Sequence, residues 1–159
     1  MTTMIETGAD APGFELPDQD GEPVRLDAQR GRWVVLYFYP RADTPGCTTQ
    51  ACGIRDRGSD YEAANAVVLG VSPDEPGDLR AFADKFGLPF TLLGDSDHAV
   101  AEAYGSWTEK KNYGKTYMGV QRSTFLIDPD GVVRHVIKAV KPATHDEKVL
   151  AKLAELQGG

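Results

Sequence analysis

Only two of the 159 residues are cysteine, at positions 47 and 52. That is too few for the disulfide framework of a small secreted fold. No Cys-x2-Cys and no His-x3-His pair occurs. His98, His135 and His145 lie far from both cysteines, so the ligand spacing of a metal site is missing. Long apolar runs are absent as well. The longest, Trp33 to Tyr39, is far short of the roughly 20 residues of a membrane span. Lysine and arginine form no cluster, and the net charge is −7. That balance argues against nucleic acid and against an anionic membrane as partners, since both select a concentrated basic patch. Met1 to Glu6 has no basic stretch leading into an apolar one. A secretory signal is therefore not expected, and the expected location is cytoplasmic.

What is present is ordinary in bulk. Apolar residues make up 41% and charged residues 26%, the composition of a globular protein. The length suits a single domain over residues 1–159 with a hydrophobic core. The distinctive stretch is Thr44-Pro45-Gly46-Cys47-Thr48-Thr49-Gln50-Ala51-Cys52. It follows Trp33 to Tyr39, a β-branched and aromatic run without polar alternation, which predicts a strand buried on both faces. Pro40 and Pro45-Gly46 interrupt regular structure. From Cys47 to about Gly58 a helix is predicted, with an extension through Tyr61 to Ala64. Cys47 is then placed where a buried strand ends and a helix begins. The unpaired N–H groups at such a helix start favour thiolate over thiol.

The remaining chain supplies the scaffold. Phe14-Glu15-Leu16 and Val24-Arg25-Leu26 flank the turn residues Pro17 to Gly21 and predict a small antiparallel hairpin. Val67 to Ser72 predicts a second buried strand. Leu79, Phe82, Ala83 and Phe86 have helical spacing, closed by Gly87. Pro89 to Leu93 predicts a short strand, and His98 to Tyr104 a brief helix ended by Gly105. Ser106 to Gln121 shows no clean period and is expected as a long loop. Glu109-Lys110-Lys111 within it is expected as a solvated run, and His98 and His145 as helix-start and surface residues. Ser123 to Ile127 predicts a strand that turns back at Asp128-Pro129-Asp130-Gly131. His145 to Leu156 is amphipathic and predicts a closing helix. Strand–helix–strand units imply parallel pairing, and the Asp128–Gly131 turn implies an antiparallel part. The fold class is therefore α/β: a thioredoxin-like, mixed central sheet with helices on both faces and an N-terminal β-hairpin.

Two readings of the cysteines follow from the residues alone: inert core thiols, or a redox pair. On an ideal helix, residues five apart rise about 7.5 Å and turn by about 140°, which puts their Cα atoms roughly 9 Å apart. A disulfide needs about 4.4–6.8 Å. A bond between Cys47 and Cys52 therefore requires part of the helix to unwind. Gly53 either loosens the helix for that purpose or only allows the helix to pack closely on the sheet. Thiolate supply cannot make a fast enzyme by itself. Lowering a thiol pKa from about 8.5 to about 6 raises the thiolate fraction at pH 7 only about 30-fold. Groups that stabilise a transition state must supply the rest.

Tyr39-Pro40 with Thr44-Pro45-Gly46-Cys47-Thr48 resembles the active-site signature of the peroxiredoxins. Gln50-Ala51-Cys52-Gly53-Ile54-Arg55-Asp56 is similar to the bacterioferritin-comigratory, or Q-type, subfamily. The likeness continues through Leu69 to Ser72, Phe90 to Leu93, Tyr113-Gly114-Lys115 and Arg122 to Asp128, and ends in the Lys141 to Leu153 segment. The resemblance implies a thiol peroxidase acting on hydrogen peroxide and organic hydroperoxides. Cys47 would be the peroxidatic cysteine and Cys52 the resolving one. They would form an intramolecular disulfide that a thioredoxin-type donor reduces. Thr44 would hydrogen-bond the peroxide, and Arg122 would favour the thiolate and polarise the O–O bond. Pro40 would shield the thiol, and the backbone at Gly46 would help bind substrate. The family needs no metal, haem or flavin cofactor, and the subfamily is often monomeric. Gln50 stands where many peroxiredoxins carry an acidic residue. Two rivals remain at this point: a disulfide oxidoreductase, which lacks its usual Cys-x-x-Cys here, and a redox sensor that does not turn over peroxide.

Overall fold

A computed structural model describes residues 4–158. Its centre is the strand that the apolar run predicts, β3 (Trp33–Phe38), with all six residues buried. Before it come the hairpin strands β1 (Glu15–Pro17) and β2 (Pro23–Arg25), paired antiparallel, and a 3-10 turn at Leu26–Gln29. After it come α1 (Pro45–Asp56), α2 (Gly58–Ala63), β4 (Ala66–Ser72), α3 (Pro76–Phe86), β5 (Thr91–Gly94) and α4 (Ala99–Tyr104). The chain continues through β6 (Trp107–Asn112), β7 (Lys115–Val120), β8 (Ser123–Ile127) and β9 (Val133–Ile137). A 3-10 turn at Pro142–Thr144 then leads into α5 (His145–Gly158).

The main sheet has the order β5-β4-β3-β8-β9. β3–β4 and β4–β5 are parallel, and β3–β8 and β8–β9 antiparallel, the mixed arrangement expected from the sequence. Alternation along β3 splits the core in two. Trp33, Val35, Tyr37 and Tyr39 face one layer, with Ile54 of α1, Tyr61 of α2, Leu79 and Phe82 of α3, and Val149 and Leu153 of α5. Val34, Leu36 and Phe38 face the other, with Val100, Ala101 and Tyr104 of α4 and Leu16 and Leu26 near the N-terminus. A strand covered on both faces gains nothing from polar alternation, which is why its sequence reads as one apolar run.

Three expectations need correction. The cysteine helix does not run unbroken to Ala64: Arg57, at φ −105° and ψ 17°, separates α1 from α2. Ser106–Gln121 is not a loop. β6 and β7 pair antiparallel from Trp107↔Val120 to Asn112↔Lys115, turning through Tyr113 and Gly114 at φ 53° and 77°. Positive φ at both central residues is the twist-matched form of a two-residue hairpin turn. A tyrosine at the first position hid that signal, and the Glu109-Lys110-Lys111 run hid the period of two. His145 is also not a surface residue; it begins α5 but is 1% exposed.

Candidate active site

Three segments converge at the end of the sheet where β3 leaves the core. The chain beyond β3 reaches half-buried Pro40, and a short loop leads to α1. That loop is held by Asp74 at the end of β4, whose carboxylate accepts from the Ala42 N–H at 2.8 Å and from the Ser72 hydroxyl at 2.7 Å. Thr44 is the N-cap residue of α1, with ψ 157°, and Pro45 takes the first helical position, where its missing N–H costs nothing. The Thr44 hydroxyl does not cap the helix; it donates to the Arg41 carbonyl at 2.9 Å. Its lone pairs remain free to accept.

Cys47 lies in the first turn of α1, 1% exposed and unbridged. The antiparallel pair Phe38↔Ser123 brings Arg122, which precedes β8, to the same end of the sheet. There Arg122 Nη2 donates to Cys47 Sγ at 3.2 Å, and Nη1 donates to Gln50 Oε1 at 2.7 Å. The planar fork thus spans two side chains one helical turn apart, a geometry that a lysine cannot copy. Gln50 is fully buried. Being neutral, it orients Arg122 without cancelling its charge. Gly46 has a packing reason of its own: a Cβ there would lie 3.1 Å from Arg122 Nη2, so the guanidinium would have to give way by a few tenths of an ångström.

Cys52 is on the second turn of the same helix, partly exposed and unbridged. Next to it, a Cβ on Gly53 would collide with the Asp146 carboxylate of α5. Asp146 in turn accepts from the buried Tyr61 hydroxyl. Of the two readings of Gly53, the structure gives direct grounds for close packing, but against α5 and not the expected sheet.

The rings of Tyr37, Tyr39 and His145 near the site are buried. Burial pushes the Tyr37 and Tyr39 hydroxyls well above the ordinary phenol range. Burial, and then the charge of Arg122, bring His145 down to about 4, so its ring is uncharged at neutral pH. The His145 Nε2 sits 2.8 Å from Thr124 Oγ1, which ties the start of α5 to β8 two residues beyond Arg122. Lys110 is the residue that sequence reasoning missed altogether. It is half-buried, unlike exposed Glu109 and Lys111, and its stem lies across Gly119. Its pKa is lowered by burial and by Arg122, with the Cys47 charge acting in the opposite direction. Nothing in a Glu-Lys-Lys run marks such a placement. Gln50, noted in the sequence for its neutral side chain, has its role from position, since a residue three after Cys47 shares its helix face.

A buried thiol at a helix start, held by a guanidinium and unconnected to any metal-ligand cluster among the described residues, is an arrangement for nucleophilic sulfur chemistry. Residues 7–136 match the model of the AhpC/TSA family. The chain is 50% identical over 151 residues to Peroxiredoxin Bcp of Escherichia coli strain K12, an alignment covering 95% of this chain and 97% of that protein. The chain is a member of the peroxiredoxin family. A second peroxiredoxin Bcp, from Bacillus subtilis, is 45% identical over 152 residues, covering 96% of this chain and 97% of the relative. The peroxiredoxin fold is shared with solved structures. The Mycobacterium tuberculosis peroxidoxin BcpB superposes with a TM-score of 0.85 at 38% identity, over 97% of this chain and 99% of that one. A Xanthomonas campestris bacterioferritin comigratory protein, described for its alkyl peroxide reduction activity, gives 0.87 at 35% identity, over 98% and 99%. The architecture is thioredoxin-like, as the element order implies.

Proposed function

We propose that this peroxiredoxin is a thiol-dependent peroxidase that reduces hydrogen peroxide and organic hydroperoxides through Cys47 and Cys52. The observation that carries the reading is the Arg122 fork, with one nitrogen on Cys47 Sγ and the other on Gln50. The alkyl peroxide reduction named for the Xanthomonas campestris relative supports the substrate class.

The Cys47 thiolate attacks the terminal peroxide oxygen. The S–O bond forms as the O–O bond breaks, giving Cys47 sulfenic acid and an alcohol or water once the leaving oxygen takes a proton. Thr44, with its proton committed to the Arg41 carbonyl, accepts a hydrogen bond from the hydroperoxide and so orients it. Arg122 stabilises charge as it moves from sulfur to the leaving oxygen. Pro40 and the backbone at Gly46 shape the entry. Cys52 then attacks the sulfenic sulfur, releasing water and forming the Cys47–Cys52 disulfide. The roughly 9 Å helical separation requires α1 to open for that step. A thioredoxin-type dithiol donor returns both thiols. Peroxide reduction and disulfide formation use only side chains of this chain and so work in a monomer; the reading is of a cytoplasmic protein without nucleic acid or membrane as partner. No described helix is long and apolar enough to cross a membrane.

Treating the reduced protein with one equivalent of hydrogen peroxide tests the assignment by intact mass and free-thiol count. Wild type should lose two hydrogens, Cys52→Ser should retain a sulfenic acid, and Cys47→Ser should not react. A wild-type protein that stays reduced under these conditions rejects the peroxidase.

A further inference from the structure

The β6–β7 hairpin is a two-stranded sheet with no ladder to the main sheet. A lone hairpin is marginally stable in water, so this one depends on its stem. There Trp107 and Val120 join the core, and the Ser106 and Ser123 hydroxyls meet at 2.7 Å. Beyond the stem the surface is unusual. Among the described residues, the exposed large hydrophobic side chains are Tyr113 (97%), Tyr117 (48%) and Met118 (52%), and all three lie on this hairpin. Tyr113 occupies the turn, while Tyr117 and Met118 point to opposite faces, so each face carries one large exposed apolar side chain. The same element carries Lys110, Lys111 and Lys115 against one acid, Glu109, in a chain of net charge −7.

Two observations restrict what this surface can meet. A small ligand needs a concave site that buries most of its area, and a protruding two-stranded tip offers none. A protein surface is the alternative, and aromatic residues with methionine are enriched at such contacts. The hairpin also borders the reactive sulfur. β7 runs through Gln121 directly into Arg122, and Lys110 of β6 is close enough to respond to the charges of Arg122 and Cys47. A protein that docks over Cys47 and Arg122 therefore meets the strand that leads into Arg122.

We propose that the outer half of the β6–β7 hairpin, Tyr113, Tyr117 and Met118 flanked by Lys111 and Lys115, is the docking surface for the dithiol protein that re-reduces this peroxiredoxin. The inference rests on the peroxidase reading above. The partner it fits has an apolar collar around its reactive cysteine and an acidic rim that pairs with the lysines. One partner thiolate attacks a sulfur of the Cys47–Cys52 disulfide, forming a mixed disulfide and releasing the other cysteine as thiolate, which takes up a proton. The second partner thiol then attacks the mixed disulfide. The partner leaves as a disulfide, and two electrons and two protons have passed to Cys47 and Cys52. The tyrosines and Met118 hold the encounter together, and the lysines steer it.

The experiment compares wild type with Tyr113→Ser/Tyr117→Ser/Met118→Ser and with Lys111→Glu/Lys115→Glu. Each is driven in turn by a bacterial thioredoxin with its reductase and NADPH, and by dithiothreitol. In both variants kcat/KM for thioredoxin should fall about tenfold through KM. The dithiothreitol-driven rate and the stopped-flow oxidation by peroxide should stay within about twofold of wild type. The lysine effect should shrink as salt rises. Unchanged kcat/KM for thioredoxin overturns the proposal, as does wild-type turnover with dithiothreitol but none with thioredoxin. So does a wild-type dimer in light scattering that the triple variant splits, since the surface would then serve a second copy. No turnover with either reductant would instead reject the peroxidase itself.

Discussion

Arg122 acts through two nitrogens at once. Nη2 reaches the sulfur at 3.2 Å, while Nη1 is anchored on Gln50 at 2.7 Å, so the charge is held by a partner that does not neutralise it. An ammonium is a point donor and loses one of these bonds. A charge-assisted hydrogen bond contributes about 1.5–3 kcal/mol. Arg122→Lys should therefore lower the second-order rate constant with hydrogen peroxide by roughly 10- to 100-fold, measured by stopped-flow fluorescence. An unchanged constant would take Arg122 out of the chemistry. The Gly46 contact belongs to the same geometry: with a Cβ site 3.1 Å from Nη2, glycine is what allows the fork to approach the first turn of α1.

α1 must satisfy two opposing demands. Folded, it holds Cys47 beneath Arg122; to bring Cys52 to Cys47 it must open. Its junction with α5 is one of the contacts that hold it folded. Gly53 lies against the Asp146 carboxylate, Tyr61 donates to that carboxylate, and burial raises the Asp146 pKa. Gly53→Ala improves helix propensity by about 1 kcal/mol but forces a methyl group into Asp146, and overpacking typically costs about 1–3 kcal/mol. The substitution should lower unfolding stability in urea. Introduced into an Asp146→Ala background, it should cost less than in wild type, because the two sites are in contact and not additive. Equal costs in both backgrounds would show that the Gly53–Asp146 contact does not limit the helix.

At the scale of the molecule, His145 couples global stability to acidity. It is 1% exposed and its pKa falls from 6.5 to about 4. Between these values the unfolded chain binds a proton that the folded chain does not. Its contribution to stability is complete above pH 6.5 and is lost as pH falls toward 4, at up to about 1.4 kcal/mol per pH unit. Burial raises the carboxyls of Asp95 and Asp146, and they act in the opposite sense at the acid end. The informative quantity is therefore the difference between variants. Urea midpoints from pH 7 to pH 4 should fall less steeply in His145→Gln than in wild type. Parallel slopes would mean that His145 is protonated without loss of the fold.

The sequence by itself determined the buried strand and the reactive cysteine at the junction of that strand with a helix, but it placed the helix start at Cys47, because Pro45-Gly46 reads as a break, whereas Pro45 is the first helical residue. Apolar runs and the cysteine spacing are local signals, readable without knowing what lies across the sheet. It also carried the element order that fixes a mixed sheet. The hairpin at Trp107–Val120 was hidden because charged residues on an exposed two-stranded ribbon need no alternation to stay folded, and because Tyr113 occupies a turn position usually marked by asparagine or glycine. The meeting of Arg122 with Cys47, 75 residues apart, was decided by antiparallel pairing of β8 on β3, a register that no local pattern in Gln121-Arg122-Ser123 encodes. The same holds for Lys110 at the site, for the Gly53–Asp146 contact and for neutral, buried His145. Each depends on which surfaces packing brings together, and burial and the neighbouring charge set the state of each side chain.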